Sequence, residues 1–149
     1  MTFKSVLGIA ALAFSLSATS LLAAEFGTSE EAKAMLDKAV AAVKADKAKA
    51  LQQFAKGEGG FKDRDLYPLC AGPDGMFTAH PTLVGQDMKT LKDKVGKPIG
   101  TEMMSMAEEG KVKELSYMWP RPGADTTPVQ KVTYVTKVGD QTCAVGYYK

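Results

Sequence analysis

The sequence predicts an α+β domain: a long N-terminal helix packed on a five-stranded antiparallel sheet with helical crossover loops. Three observations predict it. Apolar residues recur at helical spacing over residues 28–56. After residue 60 the texture changes to short apolar runs bounded by Gly and Pro. Two such runs precede a short helical stretch and three follow it, an order that lets one sheet bury its face against the helix.

Thr28-Ser29-Glu30-Glu31 opens the helix as a capping box, in which Thr28 accepts from the amide three residues on and Glu31 reaches back. Ala32, Met35, Leu36, Ala39, Val40, Val43, Lys47, Leu51 and Phe54 form the stripe, Lys47 through its stem. Gly57 supplies the stop, reinforced by Gly59 and Gly60. One helix over about 28–56 would be roughly 40 Å long, so part of it would project from the core or pack on a neighbour.

The sheet region spans about 61–149. Runs 66–70 and 76–80 flank Ala71-Gly72-Pro73-Asp74-Gly75 and read as a hairpin. Residues 81–97 read as loop with a helical turn near 86–92. Pro98 suits a first helical position, and Ile99, Met103, Met104 and Ala107 stripe a helix ending at Gly110. Run 112–119 alternates, with Leu115, Tyr117 and Trp119 on one face. Prolines 120, 122 and 128 bracket a hairpin loop, and strands 129–138 and 142–148 flank a tight turn at Gly139-Asp140.

Residues 1–24 read as a secretory signal. Lys4 gives the basic flank, residues 6–14 the apolar core, and Ala23-Ala24 the small residues before cleavage. The alternative is a retained anchor, for which the clean apolar stretch is short. Residues 25–149 then form one domain, expected to be soluble because no second apolar run approaches a membrane span. Against 17 acidic residues stand 19 basic ones, of which the signal removes only Lys4. So even a balance gives no field to gather nucleic acid or anionic lipid. In an oxidising compartment Cys70 and Cys143 are read as a disulfide, with two buried thiols as the alternative.

Candidate binding residues are few. Lys131 sits mid-strand among Val129, Val132 and Val135, and alternation alone favours a solvent-facing lysine. Tyr117 and Trp119 offer aromatic walls with one polar hydrogen each, or ordinary core packing. Tyr67, and more weakly Tyr147, offer the same. His80 is the only histidine. Held extended by Pro81, it could donate to an anion and confer pH sensitivity near neutrality, or bond nearby backbone. Arg121, between two prolines, reads as a rim charge. Met103, Met104 and Met106 read as core filler, so no metal is expected, and no cofactor. Asp63/Asp65 and Glu108/Glu109 read as solvated surface. With one histidine and no Cys-x-x-Cys, few nucleophile–base combinations exist, and no enzymatic activity is expected.

Asp65-Leu66-Tyr67, Gly72-Pro73-Asp74-Gly75, Ala79-His80-Pro81 and Leu83-Val84-Gly85 stand in a telling order with four later segments. These are Gly96-Lys97-Pro98, Tyr117-Met118-Trp119-Pro120, Lys131-Val132-Thr133-Tyr134-Val135 and Val145-Gly146-Tyr147-Tyr148. Together they resemble the single Cache domain family of extracytoplasmic sensors, from the long helix to the C-terminus. The resemblance implies a PAS-like sheet with helical loops over one face and a pocket between them for small organic molecules, commonly short carboxylates. It implies that Lys131 faces that pocket, with Tyr117, Trp119, His80 and Tyr67 around it. It also implies that the first and last strands are neighbours, which sets Cys70 beside Cys143. Most family members sit between two membrane helices of a chemoreceptor or histidine kinase. The reading of this sequence, with no second span and no output module in it, departs from that plan. The expectation is a stand-alone periplasmic domain that binds a short carboxylate and reports to a separate chemoreceptor or histidine kinase. The alternative is a protein that dimerises or docks through the long helix, as a homodimer for example, with no ligand pocket in use.

Overall fold

The structure is a computed structural model that describes residues 25–149; the expected signal peptide and its cleavage after Ala24 lie outside the described residues. Thr28 caps α1 (Ser29–Ala45) through the expected reciprocal bonds with Glu31. The single helix expected over 28–56 is instead two. Asp46 is extended: its N–H donates to the Ala42 carbonyl, and its carboxylate accepts the Lys49 N–H. It thereby ends α1 and caps α2 (Lys47–Lys56). Aspartate offers the backbone a local bond that competes with continuous helix. The break re-phases the stripe, so that Ala50 and Phe54 are buried while Lys47 reaches the surface and pairs with Asp140 at 2.9 Å.

Five strands follow, β1 (Pro68–Ala71), β2 (Phe77–Ala79), β3 (Lys113–Pro120), β4 (Pro128–Val138) and β5 (Gln141–Tyr148). They form one antiparallel sheet in the order β2-β1-β5-β4-β3. First and last strands are thus neighbours. Cys70 lies directly opposite Cys143, and the two form a disulfide.

Register sorts the side chains into two cores. Tyr134, Val138, Cys143 and Val145 face the helices, with α1 lying over β4 and β5 and α2 over β1 and β2. Leu69, Leu115, Tyr117, Val135 and Ala144 face the other way. There they are covered by α3 (Ile99–Met106), a 3₁₀ turn at Met88–Thr90 and the loops between. Gly100 lets α3 dock on that turn, since a Cβ there would overlap the Met88 carbonyl. α3 stops short of the expected Gly110 because residues 108–111 turn back, with the Glu108 carbonyl accepting from Lys111 and Lys137. Among the described residues no helix is long and apolar enough to cross a membrane.

Candidate functional site

Lys131 pairs across the sheet with Tyr117 on one side and Tyr148 on the other, which turns it to the α3 face. Only 4% of its surface is exposed. Its ammonium lies over the rings of Tyr67 at 5.1 Å and Tyr148 at 4.8 Å, with no hydrogen bond or ion pair among the described residues. Burial pushes its pKa down to about 8, against a partly opposing pull from Asp65. At neutral pH it is therefore a largely buried cation whose N–H donors lack a protein acceptor.

The stem of Lys131 fits because residue 146 is glycine. A Cβ there would lie 2.6 Å from Lys131 Cε and 2.5 Å from Thr133 Oγ1, and that hydroxyl is bonded to the Tyr117 hydroxyl at 2.9 Å. Gly146→Ala is accordingly expected to displace both residues and to destabilise the fold by about 1–3 kcal/mol. Urea titration checks this, and an alanine variant of native stability would show that Lys131 does not need this gap.

The aromatic residues close around the ammonium. Tyr117 and Trp119 meet edge to face at 6.2 Å, and Tyr67 meets His80 in the same way at 5.4 Å. Burial pushes the phenols of Tyr67, Tyr117 and Tyr148 upward, so all three stay neutral donors or acceptors. His80 Nδ1 accepts the N–H groups of Thr82 at 3.0 Å and Leu83 at 3.2 Å. Those bonds assign the ring proton to Nε2, which is left as a donor. Burial first, and then the charge of Lys131, push the His80 pKa down to about 4. The pH sensitivity near neutrality expected of an unperturbed imidazole is thus corrected: His80 is neutral there.

Lys131, Tyr67, Tyr117, Trp119 and His80 all line one inner chamber of about 20 Å³, with Leu69, Phe77, Ile99 and Met103 as apolar walls. Tyr67, His80, Leu83 and Trp119 also border an adjoining cleft of about 350 Å³, completed by Arg121 and Tyr148. The loop covering the chamber is organised by Asp93. Its buried carboxylate accepts the N–H groups of Val95, Lys97 and Met118, which pins residues 93–97 to β3 beside Trp119.

Other expectations change. Tyr147 faces the helices and stacks on Tyr134 at 5.9 Å, away from the chamber. Asp65, read as surface, is 5% exposed and accepts the Gly27 N–H at 2.7 Å. Asp63 does stay outside, paired with Arg64. Arg121 is more than a rim charge: its guanidinium stacks on Phe26 at 4.1 Å and on Tyr148 at 4.9 Å. It also lines a second groove of about 360 Å³ against residues 122–129, and its Nη1 is buried without a hydrogen-bond partner. Tyr148 was missed as a wall. Its signal was available, since period-two alternation from Gly146 carries it to the Lys131 face. Among the described residues no group of three or more His, Cys, Asp or Glu could hold a metal ion.

A family model described as single Cache domain 2 matches residues 25–147. The methyl-accepting chemotaxis protein McpP of Pseudomonas putida is 35% identical over 60 residues, 40% of this chain and 11% of that much longer protein. A methyl-accepting chemotaxis protein from Vibrio parahaemolyticus has a solved structure that superposes with a TM-score of 0.63 at 22% identity, covering 80% of this chain and 86% of that one. A periplasmic sensor domain of a chemotaxis protein gives 0.59 at 24% identity over 80% and 88% of the two chains. A Cache chemosensory domain, solved to explain its carboxylic acid recognition, gives 0.56 at 25% identity over 80% and 86%.

Proposed function

The chain belongs to the single Cache domain 2 family, and from that premise we propose that it is a periplasmic sensory domain that binds a short organic carboxylate and reports to a membrane protein. Residues 1–24 serve as its export signal in this reading. One observation carries it: a buried ammonium without a protein acceptor, set in an aromatic-walled chamber. Leaving such a charge unpaired is unfavourable unless an anion completes it. A carboxylate supplies the acceptor oxygens that Lys131 lacks, and His80 Nε2–H can donate to the same group. The chamber of about 20 Å³ has room for little more than one water-sized group, so in this reading the rest of the ligand lies in the adjoining cleft of about 350 Å³, whose walls include Leu83, Trp119 and Pro120. The carboxylic acid recognition of the similar Cache chemosensory domain supports this chemistry, and the chemoreceptor relatives support a membrane protein as receiver.

The site offers no evident catalytic arrangement: the only histidine uses Nδ1 on the backbone N–H groups of Thr82 and Leu83, and the hydroxyl beside it, Thr82 Oγ1, stands 3.5 Å from that same occupied nitrogen. The reading is therefore one of binding without chemistry. Calorimetric titration with two- to four-carbon monocarboxylates tests it, with Lys131→Ala as control. At least one acid is expected to bind the native protein, with no measurable heat in the variant. An inert panel would sink the reading, and tight binding that survives the alanine change would remove Lys131 from its role.

A further inference from the structure

Arg121 brings a second cation to the cleft, and its charge is unanswered. A guanidinium carries five N–H donors. Among the described residues one acceptor meets them, the Lys149 carbonyl, 3.4 Å from Nη2. Nη1 is buried without a hydrogen-bond partner, and among the described residues no ion pair engages the group. Glu25 and Asp125 line the groove on its other side, yet neither pairs with it. The other buried side-chain atom without a partner, Asp65 Oδ2, does not pair with it either, and Asp65 lines neither the chamber nor the cleft. Lys94 lies over Trp119 at 5.6 Å but also lines neither space. Arg121 is held where it stands, stacked on Phe26 at 4.1 Å and on Tyr148 at 4.9 Å. The Lys131 ammonium is 4.8 Å from the same Tyr148 ring, so the two cations are no more than about 10 Å apart. Arg121 borders the cleft and Lys131 the chamber, while Tyr67, His80, Leu83 and Trp119 border both. No acidic residue lines either space.

We propose that Arg121 is the ligand's second anchor and that the site selects a short dicarboxylate, one carboxylate on Lys131 and the other on the Arg121 guanidinium. This deepens the carboxylate-binding reading above and rests on it. A chamber with room for one water-sized group takes an oxygen of the first carboxylate and leaves the rest of the ligand in the cleft. An extended four-carbon diacid spans about 6 Å between its outer oxygens, and a charge-assisted hydrogen bond adds about 2.8 Å at each end, enough to join the two cations. A monocarboxylate of the same length sets a methyl group beside the guanidinium and leaves its donors unmet.

Calorimetry with succinate and butyrate, four-carbon acids that differ by one carboxylate, tests it. The native protein is expected to bind succinate at least about tenfold more tightly than butyrate, the size of one charge-assisted bond. Arg121→Gln, which removes the charge, is expected to shrink that preference to within about threefold, and Arg121→Lys to restore part of it. Monomethyl succinate, with one carboxylate masked as an ester, should bind the native protein like butyrate. That comparison decides the matter without a variant should Arg121→Gln fail to fold. Butyrate binding as tightly as succinate overturns the proposal and leaves the carboxylate reading standing. So does monomethyl succinate binding as tightly as the diacid. An equal loss of both acids in Arg121→Gln overturns it too, since the arginine would then serve only to pack Phe26 on Tyr148. If none of the three acids binds, the carboxylate reading falls and this proposal with it.

Discussion

Replacing Lys131 with methionine is expected to stabilise the ligand-free protein while abolishing carboxylate binding. The stem is retained, so the chamber stays filled. The sign follows from the pKa. Burial holds the folded-state value at about 8, against 10.5 for an ordinary lysine. Between those values the unfolded chain keeps a proton that the native state has released, so native stability rises with pH through that window. Below pH 8 the fold carries the full penalty, on the order of 3 kcal/mol. Methionine removes it, so urea titration at pH 7 should show a gain of up to about 3 kcal/mol, and the lysine's rise between pH 8 and 10.5 should vanish, leaving the fall near pH 10 that the raised phenols of Tyr117 and Tyr148 impose. Binding moves the other way. Loss of the charged donor is expected to lower acetate affinity at least about a hundredfold, the size of one or two charge-assisted bonds. In the native protein the affinity should hold below pH 8 and then fall roughly tenfold per unit as the ammonium loses its proton. A methionine variant that is less stable, or that binds within threefold of native, would mean that Lys131 is structural. A residue kept at the expense of stability is the mark of a functional one.

Local chemistry was the legible part of the sequence. The capping box at Thr28, the turn at Gly72–Gly75 and the alternation of β3 each depend on neighbours in the chain, and each stands where it was read. What depends on tertiary partners was not legible in the same way. Asp46 is compatible with an exposed helical position, and only the docking of two helices on one sheet turns its capping bond into a break. Asp63 and Asp65 are two apart on either side of Arg64; one is solvated and the other is buried against Gly27, a difference that no composition rule carries. Alternation alone argued for a wet Lys131, because the covering layer comes from α3 and residues 81–97, far away in sequence. The family resemblance supplied that layer. Gly146 was the unread signal: a glycine within a strand marks a close approach, here that of the lysine stem itself.

Removing the Cys70–Cys143 bond should have the largest effect on the fold. The bond closes 73 residues of chain, which chain-entropy arithmetic values at about 4 kcal/mol. Both cysteines are wholly buried against the helices, so the sulfurs also fill core volume. The position matters as much as the energy. β1 and β2 are four and three residues long, and β1 joins the rest of the sheet only through β5. That seam divides the site. Tyr67 and His80 come from the β1–β2 side, while Lys131, Tyr117, Trp119 and Tyr148 come from β3, β4 and β5. The disulfide sutures the two halves at the one pairing that connects them. A Cys70→Ala/Cys143→Ala variant is expected to lose about 2–5 kcal/mol in urea titration. Under conditions where it remains folded, acetate affinity should also fall, because the Tyr67–His80 wall is held to the ammonium by a short ladder alone. Reductant should reproduce both effects in the native protein and change nothing in the variant. A stability loss below about 1 kcal/mol would show that the β1–β5 pairing holds the seam without covalent help.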